Sequence, residues 1–205
     1  MNSREQKARE TVIKNLREAL KIRNEVASKG AIVEKDEAQQ SAENSTIAFC
    51  KQYIGQGGSI EYCSNIDELT NALTQLSNSM GNPLIGCCGG NITSLLNQVG
   101  IANATNAIVG EHYSIGVLRV EALLAENGAA ILSDSLGFGT VMAELPKVTL
   151  IIGFTSQIIP NWDAAVAQFK ADGQEIPRSF TCMAPVRNAS NAKRQIKLIL
   201  VEDMQ

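Results

Sequence analysis

The segment Val148-Thr-Leu-Ile-Ile152 has a β-branched or aliphatic side chain at every position. A short run without alternating polar residues is typical of a strand that is buried on both faces. Such strands belong to parallel sheets, whose neighbours are joined by crossover connections that usually contain a helix. The segment therefore predicts that the chain folds around a parallel sheet.

Short β-like runs alternate with helical patterns over most of the remaining chain. The predicted strands of the sheet cover residues 59–63, 83–87, 105–110, 148–152 and 196–201. The predicted helices between them cover residues 66–80, 161–170 and a stretch carrying Leu95, Leu96 and Val99. Because this alternation indicates crossover units, we expect an α/β fold with a mostly parallel sheet and crossover helices.

An antiparallel hairpin is predicted in the middle of the chain. Residues 117–124 and 129–133 are β-like runs, and the turn between them ends in Asn127-Gly128. Asn-Gly is the strongest short signal for a hairpin, because both residues tolerate a positive φ. The hairpin adds an antiparallel portion to the predicted sheet.

Two amphipathic helices are predicted before the first strand. They cover residues 4–28 and 36–55, where apolar side chains recur at three- and four-residue spacing. We expect residues 1–57 to pack on the sheet as N-terminal helices. Since no linker or internal repeat divides the sequence, residues 1–205 are expected to form a single domain.

The composition argues against several classes of partner. The formal net charge of −3 gives the chain no general attraction for nucleic acid or anionic membranes. No apolar run approaches the roughly 18 residues needed to span a bilayer, and the N-terminus lacks the apolar segment of a secretory signal. We expect a cytoplasmic protein with no nucleic-acid and no membrane partner, and a homodimer is the default expectation for its assembly.

The cysteines suggest thiols rather than a metal site. The stretch Gly86-Cys-Cys-Gly-Gly90 is similar to part of the Cys-rich CCG motif of iron–sulfur-linked reductases, in which a further cysteine lies upstream at about the spacing of Cys50. That motif also needs a Cys-x-x-Cys, which the chain lacks, and His112 is its only histidine. We therefore favour buried thiols over a redox role, and expect no metal and no cofactor on this chain.

Three segments carry a resemblance to a known family. They read Gly116-Val-Leu-Arg-Val-Glu-Ala-Leu-Leu-Ala-Glu-Asn-Gly128, Leu145-Pro-Lys-Val-Thr-Leu-Ile151 and Ser156-Gln-Ile-Ile-Pro160. They resemble the lactate-utilisation (LUD) domain, the LutC/YkgG-like family, whose first segment has the form G-V-T-G-A-D-A-A-I-A-E-T-G-T. The chain diverges where Leu118-Arg119 replaces Thr-Gly. The family's C-terminal G-P-S-R-T-A-D is matched only at Pro185, Arg187 and Ala189.

This resemblance implies a NagB/RpiA/CoA-transferase-like fold. It also implies an accessory role in the oxidation of lactate or a related small hydroxy acid, beside iron–sulfur and other redox partner proteins. Two alternatives stay open. The chain can be a stand-alone enzyme that acts on an acyl-CoA, a sugar phosphate or another small anion, or a sensor that binds such a metabolite without turnover.

Glu126 is the candidate catalytic residue. A carboxylate beside the exposed backbone N–H groups of Asn127 and Gly128 can act as a general base or as a covalent nucleophile. The alternative is that Glu126 only holds the turn through backbone hydrogen bonds. His112, on a polar stretch after a predicted strand, is a further candidate for binding a ligand, although lone histidines are more often structural.

Two other places are candidates for binding an anion. Gly89 and Gly90 belong to a glycine-rich turn before a helix, where backbone N–H groups can hold an anion. The turn lacks the spacing of a nucleotide-binding motif and a phosphate-binding lysine. Arg187 matches the arginine of the family's C-terminal motif and can pair with a carboxylate or phosphate; a solvated surface arginine is the alternative.

Overall fold

The computed structural model describes residues 37–87, 90–105, 113–134, 146, 148–171, 177–185 and 195–203. The helix predicted at 4–28 lies outside these ranges. The described helices are α1 (Glu37–Gly55), α2 (Ile66–Ser79), α3 (Gly90–Gln98) and α4 (Trp162–Ala171). The described strands are β1 (Ser59–Cys63), β2 (Ile85–Cys87), β3 (Asn103–Thr105), β4 (Ile115–Arg119), β5 (Ala122–Leu124), β6 (Ala129–Ser133), β7 (Val148–Phe154), β8 (Ile158–Ile159), β9 (Phe180–Met183) and β10 (Gln195–Val201).

Six strands form a parallel sheet in the order β1-β10-β7-β4-β2-β3. Strand β7 contains the apolar segment Val148–Ile152, and it lies inside the sheet between β10 and β4. Ile151 on β7 pairs with Leu198 on one side and with Leu118 on the other. The predicted α/β fold with a parallel sheet and crossover helices is therefore confirmed.

The two faces of this sheet bury different side chains. Alternate residues such as Leu198 and Ile199 belong to separate hydrophobic clusters, because successive side chains of a strand point to opposite faces. Helix α1 covers one face through Phe49 and Tyr53, and helices α2 and α3 cover the other. This arrangement explains why β7 reads as a continuous apolar run.

A second, smaller sheet has the strand order β8-β5-β6-β9. Strands β5 and β6 form the predicted hairpin, with Leu124 opposite Ala129, and β9 pairs antiparallel with β6. Helix α4 packs on this sheet. Its Ala165 and the partly buried Trp162 join a hydrophobic cluster that is separate from the two clusters of the parallel sheet. The predicted antiparallel portion is thus present, as a sheet separate from the parallel one.

The predicted strand over residues 117–124 is wrong, because the chain changes sheets within it. The backbone N–H of Val120 donates to Ile152 in the parallel sheet at 3.4 Å, whereas that of Glu121 donates to Ile131 in the hairpin at 2.8 Å. The run therefore divides into β4 and β5. Of the strand predicted at 105–110, only Thr105 is described, and it belongs to β3; residues 106–110 lie outside the described ranges.

Helix α2 begins where its sequence predicts. The side chain of Asn65 accepts a hydrogen bond from Glu68 N at 2.9 Å, and Glu68 accepts one from Ser64 N at 2.7 Å. These reciprocal bonds satisfy backbone donors that have no partner within the helix.

Within the described ranges, no helix is both long enough and apolar enough to span a membrane.

Candidate functional site

A pocket of about 380 Å³ opens at the edge where the parallel strands end. Arg119 ends β4, Phe154 ends β7, and Asp203 follows β10, and all three residues line the pocket. The order in which the chain adds strands reverses its direction between β2 and β4. After β2 the chain adds β3 on one side, whereas after β4 the next strand of this sheet, β7, is added on the opposite side. In open α/β sheets, ligands bind at such a switch point.

The walls of the pocket are mainly apolar. Helices α2 and α3 and the end of β7 supply Ile66, Leu69, Ile92, Leu95, Ile152 and Phe154. Ile66 is 40% exposed, so part of this apolar surface faces solvent. A ligand that covers such surface gains about 25 cal/mol for each Å² removed from water.

Arg119 is the only basic residue among the described residues that line the pocket. Its side chain is exposed, and its guanidinium makes neither a hydrogen bond nor an ion pair with any described residue. An arginine in this state has all of its planar N–H donors available, and these match the oxygens of a carboxylate or a phosphate. Arg119 therefore gives the pocket a place for a negative charge.

A second polar part of the lining is formed by Asp203 and the residues that it binds. Its Oδ2 accepts hydrogen bonds from the backbone N–H of Ser156 at 2.6 Å and from the Thr155 hydroxyl at 3.3 Å. Asp203 thereby holds the short 3-10 helix Thr155–Gln157 that follows β7. Because this carboxylate already has partners, its charge is partly compensated within the protein.

Gln157 is held on both sides of its amide group. Its Oε1 accepts from Phe154 N at 2.9 Å, and its Nε2 donates to the Val120 carbonyl at 2.7 Å. These bonds join the end of β7 to the residue that follows β4. The polar part of the pocket is therefore held by hydrogen bonds within the protein, and this lowers the entropic cost of binding.

The predicted catalytic residue Glu126 has a different position, at the tip of the β5–β6 hairpin. It is exposed and is not among the described residues that line the pocket. Its Oε1 accepts a hydrogen bond from Trp162 N, at the first residue of α4, over 3.3 Å, and its own N–H donates to Pro160. These contacts fit the alternative that Glu126 holds local structure, while its catalytic use stays a prediction.

Asn127 and Gly128 have contacts within the protein. The side chain of Asn127 accepts from Ala129 N at 3.0 Å, and its backbone carbonyl accepts from the side chain of Gln56, the residue that follows α1. Gly128 has a φ of 64° and lies so close to α1 that a Cβ would stand 2.5 Å from Tyr53 N. The turn thus seats the hairpin against α1, and its predicted role in binding a ligand stays untested.

The other predicted site residues fall at or beyond the limits of the described ranges. His112, Arg187 and Gly89 lie outside them, and Gly90 is the first residue of α3. Asn91, the next residue of that helix, lines the pocket. The helix that follows the glycine-rich stretch in the sequence therefore supplies one wall of the pocket.

The cysteines that the structure describes are free thiols. Cys50, Cys63 and Cys87 are buried, and Cys182 is exposed. Burial raises the pKa of Cys50 to about 12. It is also the main cause that raises the pKa of Cys63 to about 12, with smaller effects of Glu61 and Glu68. The pKa of Cys87 is raised by burial too, partly offset by its hydrogen bond with Thr93. A raised pKa keeps a thiol protonated and unreactive at neutral pH.

The iron–sulfur interpretation of Cys50 and Cys87 is not supported by their positions. The two residues belong to hydrophobic clusters on opposite faces of the parallel sheet, so their sulfur atoms cannot ligate one cluster. Among the described residues, no group of three or more His, Cys, Asp or Glu side chains is placed to hold a metal ion.

Comparison with solved structures identifies the fold. The chain is similar to a DUF162 family protein from Deinococcus radiodurans, with a TM-score of 0.62 and 14% sequence identity over 79% of this chain and 98% of that chain. The chain therefore has the fold of a DUF162 family protein. No protein-family model matches the sequence, and no curated protein is significantly similar to it.

DUF162 is the LUD domain family, so the resemblance predicted from the sequence is confirmed at the level of the fold. The motif segment Gly116–Gly128 runs from β4 through β5 to the tip of the hairpin. Its acidic residue Glu121 accepts a hydrogen bond from the buried Ser133 on β6, and Ala122 and Ala125 are buried. In this chain the motif joins the two sheets.

The polar residues of the pocket are not among the site residues predicted from the sequence. They are Arg119, which replaces a glycine of the family motif, and Asp203, Ser156 and Gln157. Because Arg119 lies inside the predicted β-like run 117–124, no local pattern indicates that it ends a parallel strand, where side chains line ligand sites. The positions of the other residues depend on the order of the strands in the sheet, which no local sequence pattern specifies.

Proposed function

We propose that this protein is a divergent LUD-domain protein that binds a small organic acid in the pocket at the carboxyl edge of its parallel sheet. By the family resemblance, it acts as an accessory component in the oxidation of lactate or a related small hydroxy acid, together with iron–sulfur partner proteins. The observation that carries this proposal is Arg119, which has no partner among the described residues and lines a pocket at the switch point of the fold.

Three further features support the proposal. The described parts of the motif segments contribute to β4, β5, β7 and β8, and the DUF162 protein shares the fold over 79% of this chain. The pocket offers a cation for a carboxylate, and Asn91, Ser156 and Gln157 supply polar groups that can contact a hydroxyl group. A hydroxy acid has both of these groups.

A growth experiment tests the metabolic role. The gene is deleted in the source organism, and growth is measured on L-lactate, on other 2-hydroxy acids and on a sugar as the sole carbon source. We expect growth to be lost on at least one hydroxy acid, kept on the sugar, and restored by the wild-type gene. Normal growth of the deletion strain on every hydroxy acid would overturn the role in hydroxy-acid oxidation.

A partner experiment tests the accessory role separately. The tagged protein is isolated from cells grown on the hydroxy acid identified above, and the co-purifying proteins are examined for iron–sulfur clusters by absorbance and iron content. We expect a stoichiometric iron–sulfur protein, as an accessory role requires. Turnover of the hydroxy acid by the purified protein alone would instead favour the stand-alone enzyme.

A further inference from the structure

The lining of the pocket restricts its ligand more narrowly than the family resemblance does. Six of the described lining residues are large and apolar, and they lie on α2, α3 and β7: Ile66, Leu69, Ile92, Leu95, Ile152 and Phe154. A polar ligand would leave this surface without a favourable partner. An apolar group that covers it is favoured by about 0.8 kcal/mol for each buried methylene, or about fourfold in affinity.

The charges of the pocket favour one negative charge on the ligand. Arg119 is unpaired among the described residues and provides a single cation. Asp203 lies in the same pocket and carries a carboxylate whose partners are the Ser156 N–H and the Thr155 hydroxyl. A dianionic phosphate would bring a second negative charge beside Asp203, whereas a carboxylate brings only one. The pocket is therefore better suited to a monocarboxylate than to a sugar phosphate or CoA.

The volume excludes a good fit for the smallest acids. Pockets of about 300–1,000 Å³ typically hold ligands of drug size, and this pocket, at about 380 Å³, falls within that range. Lactate, with a three-carbon skeleton, would fill only a small part of it and would leave the solvent-accessible parts of Ile66, Leu95 and Phe154 in contact with water. A longer or branched acid would fill the space.

We infer that the ligand of this pocket is a monocarboxylic acid with an apolar body larger than lactate, and that Arg119 determines its preference for an anion. The inference rests on the proposed function only in using the same pocket. The carboxylate pairs with the Arg119 guanidinium, and the aliphatic or aromatic body lies against Ile66, Leu95 and Phe154. In the family motif a glycine stands at the position of Arg119, so the motif itself does not supply this cation.

Calorimetric titration with a homologous series tests the inference. The probes are acetate, butanoate, hexanoate and octanoate, together with L-lactate, 2-hydroxyhexanoate and the neutral amide of octanoic acid. We expect affinity to rise by about fourfold per methylene until the pocket is filled. Lactate and acetate should bind most weakly. Affinity that does not change along the series would overturn the assignment of the apolar wall.

Single substitutions test the role of Arg119 separately from that of the apolar lining. Arg119→Gln should weaken octanoate by about tenfold or more and leave the neutral amide unchanged, because it removes a charge-assisted hydrogen bond. Arg119→Lys should retain part of the affinity. Arg178→Gln is the matched control, since Arg178 is also exposed but is not among the described lining residues. Equal binding of octanoate to wild type and Arg119→Gln would sink the role of Arg119.

Ile66→Ser provides a second, independent test. This residue is 40% exposed, so its replacement disturbs the core little, and it should weaken octanoate more than butanoate. The outcomes also distinguish the two proposals. Tight binding of apolar acids with normal growth of the deletion strain on hydroxy acids would leave the ligand class standing and remove the metabolic role. A growth defect without binding of any apolar acid would leave the metabolic role standing and remove the proposed ligand class.

Discussion

A Cβ atom added to Gly128 would lie 2.5 Å from the backbone nitrogen of Tyr53, although the two residues are far apart in the sequence. Gly128 ends the turn of the β5–β6 hairpin with a φ of 64°, and Tyr53 belongs to α1. The Asn-Gly turn therefore does more than reverse the chain. Its missing side chain allows the hairpin to approach the helix backbone, which cannot move aside as a side chain can.

Gly128→Ala is expected to destabilise the protein by clearly more than a positive φ alone explains. That backbone conformation costs a non-glycine residue about 1–2 kcal/mol, and the clash with α1 adds to this cost. Gly100→Ala is the matched control, because Gly100 has a φ of 70° and no atom within 4 Å of an added Cβ. Urea denaturation of both variants measures the difference, and equal losses would show that the hairpin does not need this close approach.

Tyr53→Phe is expected to stabilise the protein. The Tyr53 hydroxyl is fully buried and has no hydrogen-bond partner among the described residues, and burial raises its pKa. A buried hydroxyl without a partner costs about 1–3 kcal/mol, so its removal should raise the Tm by about 2–4 °C for each kcal/mol recovered. Thermal unfolding followed by circular dichroism measures this change.

The control for that change is Tyr62→Phe. The Tyr62 hydroxyl donates to the Glu202 carboxylate, so its loss should lower the Tm where the loss of the Tyr53 hydroxyl raises it. A fall in Tm for Tyr53→Phe would mean that its hydroxyl is bound in solution by water or by a residue outside the described ranges.

The strands and helices were largely predictable because each is encoded by a local pattern. The run at 148–152 has the composition of a doubly buried strand, and Asn65 has the side chain of an N-cap. The change of sheet at Val120–Glu121 was not predictable, because β4 and β5 form one continuous β-like run. Only the partners Ile152 and Ile131, which lie on different sheets, separate the two strands.

The pocket was less predictable than the elements that form it. Its residues come from the beginnings of two helices and the ends of three strands, and they meet because β10 lies between β1 and β7. No local pattern in β10 specifies that position. The strand β9 was also missed, because the short segment Phe180–Met183 has two partly buried residues and an exposed Cys182 in place of a continuous apolar run.

Glu126→Gln is expected to lower stability slightly. Its carboxylate accepts a hydrogen bond from Trp162 N at the start of α4, where a negative charge is worth about 0.3–1 kcal/mol. Asp163→Asn is the control, because Asp163 lies in the first turn of the same helix without a described bond to Trp162 N. Hydrogen exchange should be faster at Trp162 only in Glu126→Gln. Loss of ligand turnover with unchanged stability would instead support the predicted catalytic role.

Thiol reagents are expected to distinguish Cys182 from the buried cysteines. Cys182 is exposed on β9, whereas Cys50, Cys63 and Cys87 are buried and have raised pKa values. At pH 7.5, iodoacetamide should modify the exposed Cys182 in the folded protein and the other three only after unfolding. Peptide mass mapping assigns each site. Rapid modification of Cys87 in the folded protein would contradict its burial beside Thr93.

The stability of the protein is expected to fall as the pH rises above about 9. The pKa of Cys50 is raised by burial from 9.0 in its free form to about 12 in the folded protein. The folded state therefore holds a proton that the unfolded state has lost, and this contribution is complete below pH 9 and disappears as the pH approaches 12. Between these values one such thiol lowers the free energy of unfolding by about 1.4 kcal/mol per pH unit.

Comparison with Cys50→Ala isolates the contribution of this thiol from those of Cys63, Cys87 and Tyr53, whose pKa values are raised in the same direction. The variant should be less stable at pH 8, but its stability should fall less steeply between pH 9 and 10.5. Cys182→Ala, which removes an exposed thiol, should have the slope of the wild type. Parallel slopes for Cys50→Ala and wild type, measured by urea denaturation, would show that Cys50 ionises as readily in the folded chain as in the unfolded one.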